Sequence, residues 1–286
     1  MRPTVGNALS NPDSAFASFS GEPAPALSRG PVPDFKEVSG DYRVRFASTK
    51  KDMEGICRLR YQIFNIELEE GLDSARETGL DEDRFDAQCQ HLLVERLKEG
   101  QVDSIVGTYR LQTAESAQKG IGFYSAEEFN LSGLPTKMLD DAVELGRACV
   151  SSSHRNRRTL FLLWKGLAAY VLWHQKRYFF GCNSLTTESC LEGWRMMRFL
   201  TEHGHVHPTF LVDPQPGYEC ATPGDLTPED EMTLEIPPLF GIYLRYGAKV
   251  CGPPAHDALF HTVDFLTVVD LDEMDERTFQ NFASKK

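Results

Sequence analysis

The sequence predicts a single mixed α/β domain whose central sheet is flanked by helices. Alternating strand patterns and helical apolar patterns follow one another from residue 42 to residue 271. An apolar helix at residues 159–175 lies between two buried strand segments, and such a crossover joins parallel strands. The 286 residues, 41% of them apolar, suit one large domain or two small ones, and no internal repeat divides them.

The first residues differ in composition from the rest of the chain. Residues 1–38 contain six of the sixteen prolines and no apolar period, which predicts a disordered tail before one folded domain at residues 39–286. No apolar core follows Arg2, so we expect no signal peptide. The longest apolar stretch, Leu160–Trp173, contains Lys165 and is too short to span a bilayer.

The amino-terminal half of the domain begins with a predicted strand at Tyr42–Phe46, where polar and apolar residues alternate. Thr49 is a suitable N-cap for the helix that follows. The apolar face of that helix consists of Met53, Ile56, Leu59, Ile63 and Phe64. The acidic stretch at residues 69–86 predicts a loop, and strands near residues 91–95 and 104–111 are joined by a hairpin turn at residues 98–101.

The carboxy-terminal half is predicted to continue the alternation of strands and helices. In chain order, it contains a strand at residues 143–150, the helix at residues 159–175, a strand at residues 178–182, a helix at residues 188–203, a proline-rich loop at residues 213–230, a helix at residues 239–246 and a strand at residues 263–271. The two strands that flank the helix at residues 159–175 are expected to be neighbours in the sheet.

Charge and cysteine content restrict the class of protein. The net charge is −12 and no basic tail or stripe is present, so we expect no nucleic-acid partner. The number of cysteines, seven, is odd, and the sequence contains no Cys-x-x-Cys motif. This pattern favours reduced thiols and a cytoplasmic location.

Glu144 is the first candidate for catalysis because it lies between apolar residues of a strand that we expect to be buried. Such a carboxylate is costly unless it is paired or used. It could be a general base, or it could form a structural ion pair with Arg147 or Arg110. Residues three apart on a strand point to opposite faces, so Glu144 and Arg147 share a face only if the strand bulges, and Gly146 suits a bulge.

A basic turn follows directly, and we define it as Arg155, Asn156, Arg157 and Arg158. It precedes the apolar helix, and free amides at a helix N-terminus bind phosphate. The alternative is a solvated basic loop.

Other reactive residue types have simpler explanations. His203, His205 and His207 could ligate a metal on an extended segment, but no fourth ligand has suitable spacing, and polar loop histidines are the default. Cys149 lies among apolar residues and is expected to be an inert buried thiol. Motifs for nucleotide binding, a serine nucleophile elbow or a zinc helix are absent from the sequence. We therefore expect no metal and no cofactor.

Four motifs in order resemble a known family. They are Arg60-x-x-x-Phe64, Asp83-x-x-Asp86, residues 107–111 (Gly-Thr-Tyr-Arg-Leu) and residues 144–147 (Glu-Leu-Gly-Arg). Over about residues 42–272 the chain resembles the GNAT-type N-acyltransferases that use acyl carrier protein. Within them it is similar to bacterial ornithine N-acyltransferases, often labelled hemolysin-like, and more distantly to acyl-homoserine lactone synthases.

The resemblance implies a GNAT-like fold and a role for each matching residue. It implies that Glu144, Arg147 and Arg110 are catalytic. It also implies that the amine substrate is bound by Arg60, Phe64, Asp83 and Asp86, where the two carboxylates would meet the cationic groups of ornithine.

The basic turn departs from the wider superfamily, which places glycines there for the pyrophosphate of coenzyme A. Side chains at those positions hinder a close backbone approach. The arginines could instead meet the pantetheine phosphate and acidic face of a carrier protein. We therefore expect acyl-acyl carrier protein as co-substrate, bound by Arg155, Asn156, Arg157 and Arg158.

The resemblance implies transfer of a (3-hydroxy)fatty acyl group to the α-amine of ornithine, the first step of ornithine lipid synthesis. The alternatives are an N-acyl amino acid synthase for glycine or another acceptor, a non-catalytic acyl-carrier or lipid-binding protein, and a lytic protein. Apolar residues 239–244 beside Arg245 suggest peripheral contact with the inner face of the cell membrane, although a core helix explains them equally well.

Overall fold

Nine strands form one mixed sheet in the computed structural model, which describes residues 31–223 and 235–283. The strands are β1 Lys36–Ser39, β2 Tyr42–Phe46, β3 Gln90–Lys98, β4 Gln101–Thr113, β5 Ala142–Val150, β6 Tyr178–Leu185, β7 Lys249–Val250, β8 Ala255–Asp257 and β9 Thr262–Asp270. Their order is β1-β2-β3-β4-β5-β6-β9-β7, with β8 paired to β9.

Helices cover this sheet. They are α1 Lys50–Tyr61, α2 Ala75–Thr78, α3 Ala114–Lys119, α4 Ser125–Glu128, α5 Thr136–Asp140, α6 Arg157–Trp173, α7 Cys190–Glu202, α8 Pro238–Arg245 and α9 Glu276–Ala283. The predicted mixed α/β sheet with flanking helices is confirmed. Within the described ranges, no helix is both long and apolar enough to cross a membrane.

The first five strands form an antiparallel meander. The predicted hairpin between β3 and β4 turns at Glu99 and Gly100, whose φ angles are +52° and +78°. Positive φ at both central residues is typical of the tight turns that match strand twist.

Helix α1 begins as predicted at Thr49, whose side chain accepts the Asp52 amide in a capping box. A π-helical turn, Gln62–Glu67, extends α1. The turn carries Phe64 toward β5, where its ring lies against Arg147.

Strands β5 and β6 are parallel and joined by α6, as predicted. They pair at only three positions, and the last pair is Glu144 with Phe180. At Gly181 an added Cβ would lie 2.2 Å from the Leu145 carbonyl oxygen. The backbones are therefore in close contact just past Glu144, and the ladder ends there.

The largest buried cluster packs α6 against β2, β3 and β4. Leu162, Leu163, Leu167 and Val171 of α6 are each at most 1% exposed. Trp164 stacks on Phe282 of α9 at 5.3 Å between ring centroids. Burial of these apolar faces is the main favourable term that holds the helix on the sheet.

Several predicted boundaries are corrected. Most of the predicted tail, residues 1–30, lies outside the described residues, but residues 36–38 belong to β1, so the domain begins earlier than predicted. Strand β1 pairs with β2, and Glu37 binds Lys165 of α6 at 2.6 Å. Four residues are too few to show a strand period, which is why the pattern was missed.

Further elements were missed or shifted. Helix α6 starts at Arg157, two residues before the predicted start, because Asn156 is its N-cap. The short strands β7 and β8 and the terminal α9 were not predicted. Part of the predicted loop at residues 213–230 lies outside the described residues. Helix α8 is a core helix, since Phe240, Tyr243 and Leu244 are buried, and these side chains are therefore not available to a membrane.

Candidate active site

Arg60 stands at the centre of a buried charge network. Its side chain is 0% exposed and binds Asp81 at 2.7 Å through Nε and Asp86 at 2.7 Å through Nη1. Asp81 is likewise 0% exposed. A guanidinium buried this deeply needs charged acceptors, because an unpaired buried ion is very costly. Arg60 thus ties helix α1 to the acidic loop.

Arg110 of β4 joins the same network from the sheet. Its Nη1 donates to both Asp83 oxygens at 2.6 and 2.5 Å, and to Asp86 Oδ1 at 3.1 Å. Its Nη2 is buried and has no hydrogen-bond partner in the structure. That nitrogen is a free donor beside the cavity described below.

The predicted bulge in β5 is present, one residue later than Gly146. Gly146 stands opposite Arg110 and Cys149 opposite Thr108, so Arg147 and Ala148 share the space across from Tyr109. Arg147 has φ of +49°, a conformation that is uncommon for residues other than glycine. The bulge therefore re-aims the Arg147 side chain.

Arg147 projects toward the loop network. Its Nη2 donates to Asp81 Oδ2 at 2.5 Å, and its guanidinium lies 4.9 Å from the Phe64 ring and 4.6 Å from the Phe260 ring. Two aromatic faces on either side hold the cation in place. Three arginines and three aspartates thus form one network, and their charges balance.

Glu144 is buried and is held by backbone amides rather than by an arginine. Its oxygens accept the Tyr124 N–H at 3.0 Å and the Ser125 N–H at 2.7 Å. Among the described residues, no ion pair joins Glu144 to Arg110 or Arg147, so the alternative of a structural ion pair is wrong. Burial raises the pKa of Glu144, and the hydrogen bonds from Ser125 and Tyr124 and the charge of Arg110 oppose that rise.

A small cavity opens onto this carboxylate. It is lined by Cys89, Arg110, Gln112, Tyr124, Glu144, Leu145 and Gly146. The cavity therefore brings together a carboxylate with a raised pKa and an arginine that has one free donor. This combination can take up a proton and bind an anion in the same space.

The basic turn lies at the other end of β5. Asn156 Oδ1 accepts the amides of Arg158 and Thr159 at 3.0 and 3.1 Å and so caps α6. Arg155 pairs with Glu67 at 2.5 Å. Arg157 is exposed and makes no ion pair within the described part of the chain. An anion here would meet arginine side chains, because Asn156 already occupies two of the helix amides.

The family model of the acetyltransferase (GNAT) domain matches residues 59–165, which include the whole network and the basic turn. The L-ornithine N(alpha)-acyltransferase of Rhizobium meliloti (strain 1021) is 33% identical over 268 residues, which cover 89% of this chain and 88% of that protein. The protein of the same name from Brucella abortus (strain 2308) is 30% identical over 257 residues, 86% of this chain and 90% of its own length. The chain belongs to the L-ornithine N(alpha)-acyltransferase family.

Membership of the L-ornithine N(alpha)-acyltransferase family makes the chain an acyltransferase and confirms the predicted family resemblance. Among solved structures, the AHL synthase LasI matches with a TM-score of 0.44 and 11% identity, covering 86% of this chain and 98% of LasI.

In this member of the L-ornithine N(alpha)-acyltransferase family, the predicted site residues form two groups. The network and cavity bring together Arg60, Phe64, Asp83, Asp86, Arg110, Glu144 and Arg147. The basic turn, Arg155–Arg158, stands apart from them. Asp83 and Asp86, predicted to bind the substrate's cationic groups, lie in ion pairs with Arg110 and Arg60.

Asp81 was missed, although it binds both Arg60 and Arg147. Its only signal is the spacing Asp81-x-Asp83-x-x-Asp86 in a loop that is acidic throughout. A second group of buried carboxyls, Glu128, Asp257 and Asp264, was also missed. Those three residues are far apart in the sequence, so no spacing could reveal them.

The remaining sequence candidates take structural roles. Burial raises the pKa of Cys149 to about 12, so this thiol stays protonated and inert, as predicted. His203 Nδ1 lies 2.9 Å from the Phe199 carbonyl oxygen, and His207 Nδ1 accepts the Phe210 amide at 2.8 Å. These histidine nitrogens therefore serve local backbone contacts.

Proposed function

We propose that the protein transfers a (3-hydroxy)fatty acyl group from acyl carrier protein to the α-amine of ornithine, as the first step of ornithine lipid synthesis. One observation carries the proposal: Glu144 and Arg110 line the same cavity, at the point where β5 and β6 stop pairing, and Arg110 Nη2 has no hydrogen-bond partner among the described residues. The names of the curated relatives support ornithine as the acceptor.

The chemistry follows from the two groups. The amine nitrogen attacks the thioester carbonyl carbon, an N–C bond forms, the C–S bond breaks and the pantetheine sulfur leaves as a thiolate, which takes up a proton from the solvent. Glu144, directly or through one water, takes the proton that the amine loses. A carboxylate with a raised pKa suits this task, because it binds the proton more strongly than an ordinary glutamate does.

Arg110 is assigned to the α-carboxylate of the acceptor. Its Nη1 is held by Asp83 and Asp86, which leaves Nη2 as the donor for a substrate anion. Arg147 and Arg60 position the same loop through Asp81. The bulge at Arg147 interrupts the ladder, and we assign a backbone N–H there to the oxyanion.

The donor is assigned to the basic turn. Arg157 and Arg158 are exposed beside the start of α6, where they can meet the phosphate and acidic surface of a carrier protein. The side chains at the turn replace the glycines that a coenzyme A pyrophosphate would need.

The test is mass spectrometry of a reaction that contains the purified protein, a 3-hydroxyacyl carrier protein and a panel of free amino acids. N-acyl ornithine as the main product supports the proposal. If the main product is a different N-acyl amino acid, the same mechanism operates on another acceptor. No product with any amino acid, while the carrier still binds, would instead indicate a binding protein.

A further inference from the structure

Three buried carboxyls lie together beside the catalytic strand. Glu128 ends α4, Asp257 ends β8 and Asp264 lies on β9, and their side chains come from residues that are 1%, 2% and 3% exposed. One oxygen of each lies within 4.8 Å of an oxygen of the other two. We call these three residues the carboxyl triad.

The triad has no cationic partner among the described residues, and three of its oxygens are unsatisfied. Neither Glu128 oxygen makes a hydrogen bond of good geometry, and Asp264 Oδ1 has no partner. By contrast, Asp83 and Asp86 each bind an arginine at short range. Buried acceptors without donors are rare in native proteins, so this group calls for a specific explanation.

Protons take the place of a cation when the triad is empty. Burial raises the pKa of Glu128 well above its ordinary value, and the nearby carboxyl of Asp264 raises it further. Burial also raises the pKa of Asp264 to about 6. A cation that enters the triad would therefore displace protons.

Helix α4 connects the triad to the proposed base. Ser125, the first residue of α4, donates its amide to Glu144, and Glu128 is the last residue of the same turn. The Tyr124 hydroxyl lies 3.5 Å from Asp257 Oδ2, while its backbone amide binds Glu144. One tyrosine side chain thus spans the distance between the base and the triad.

We infer that Glu128, Asp257 and Asp264 bind the side-chain ammonium of the acceptor amino acid while Glu144 meets its α-amine. This inference rests on the proposed function and names the group that selects the acceptor. An ammonium has three N–H donors, one for each carboxyl. Asp257 is held in place by the Tyr124 hydroxyl at 3.5 Å and by the Phe260 backbone amide at 3.3 Å.

An ammonium fits the triad better than a divalent metal ion. Calcium takes six to eight oxygen ligands, whereas only three of the six triad oxygens lack a hydrogen-bond partner among the described residues. The side-chain ammonium of ornithine needs an acidic subsite, and Asp81, Asp83 and Asp86 are already paired with arginines.

The test compares ornithine with norvaline, whose side chain ends in a methyl group and carries no charge. Glu128→Gln and Asp264→Asn are expected to raise the KM for ornithine by at least about tenfold, with a smaller change in kcat. Their kcat/KM for norvaline should stay within about twofold. The control is Glu127→Gln, since Glu127 lies on the same helix but pairs with Arg84 at the surface; it should behave as wild type.

Equal losses for ornithine and norvaline in both variants would overturn the inference. If the wild type acylates neither amino acid, the proposed function fails. This result is obtained with the wild type alone, so it can be told apart from a failure of the inference. If both variants fail to fold, the inference is tested instead by the change in Tm of the wild type when each ligand is added. Ornithine should raise the Tm and norvaline should not, and a shift with calcium or magnesium chloride alone would instead assign the triad to a metal.

Discussion

The Ser125 amide donates a hydrogen bond of 2.7 Å to Glu144 Oε1. This contact attaches the short helix α4 to the point where β5 and β6 stop pairing. It holds the carboxylate in one orientation without an ion pair. Burial keeps the pKa of Glu144 above its ordinary value, although this hydrogen bond and the charge of Arg110 oppose the rise. The same helix places Glu128 in the carboxyl triad. One amide therefore fixes the geometry of the proposed base relative to the proposed acceptor subsite.

Glu144→Gln is expected to lower kcat by about 10²- to 10⁴-fold, because the amide cannot take up a proton. The Tyr124 and Ser125 amides can still bind the glutamine oxygen, so the fold should persist. Steady-state kinetics with circular dichroism on the same samples measures both. Full activity of the folded variant would show that Glu144 is not the base.

The reaction rate at saturating acceptor concentration should fall as the pH is lowered. Protonated Glu144 cannot act as a base, and its raised pKa places this loss at higher pH than for an ordinary glutamate. A pH profile of kcat measures it. The acid limb should be missing from the residual activity of Glu144→Gln, and an identical limb in that variant would assign the titration to another group.

The KM for ornithine should rise as the pH falls through about 6, because protonated Asp264 cannot bind an ammonium. The titratable groups that act on Asp264 or feel its charge are Glu70, Tyr124, Glu128, Cys182, Cys220 and Asp257. The KM for norvaline should change little over the same range. Parallel changes for the two amino acids would contradict the assignment of Asp264.

Arg60→Ala is expected to lower the free energy of unfolding by about 3–5 kcal/mol, because it leaves Asp81 and Asp86 buried without their shared cation. Arg58→Ala on the same helix is the matched control. Its side chain is 60% exposed and pairs with Glu54, so the loss should stay within about 0.5 kcal/mol. Urea denaturation compares the two, and equal losses would show that the network does not stabilise the fold.

Gly181→Ala should reduce stability by about 1–3 kcal/mol and also reduce kcat/KM, because the new Cβ meets the Leu145 carbonyl oxygen and pushes β6 away from β5. Gly241→Ala on α8 is the control, where the nearest atom is 3.6 Å away. Thermal melts and kinetics test both variants. An unaffected Gly181→Ala would mean that the two strands tolerate separation.

Arg157→Glu should raise the KM for the acyl carrier protein about tenfold and leave the KM for the amino acid unchanged. The effect should shrink as salt is added, since exposed charges are screened. Lys98→Glu is the control for net charge. It reverses the charge of an exposed residue at the hairpin turn between β3 and β4. If both variants weaken carrier binding equally, the basic turn is not the docking surface.

Much of the fold could be predicted because its signals are local. Thr49 caps α1 within one turn of the chain, and the apolar face of α6 repeats with the helical period over four turns. The parallel pairing of β5 with β6 follows from the single helix between them. Strand β1 gave no such signal, since it is only four residues long. Helix α9 is eight residues long and was also missed, although Phe279 and Phe282 are spaced for one helix face.

The candidate site was only partly predictable. Five of the six residues of the network could be named from four motifs, whereas Asp81 and the contacts among the six could not. Asp83 and Asp86 were expected to face the substrate, yet each binds an arginine. The reason is the burial of Arg60 and Arg110, which makes charged partners obligatory.

The sequence by itself determined the order of the longer strands and helices, the N-cap of α1, and the types of residue available for acid–base chemistry, because these depend on neighbours within a few positions. Only the tertiary structure decided that Glu144 is held by the amides of α4, that Arg147 turns through a bulge toward Asp81, and that Glu128 meets Asp257 and Asp264. These contacts join residues far apart in the chain, and burial within the folded sheet sets both their geometry and their pKa values.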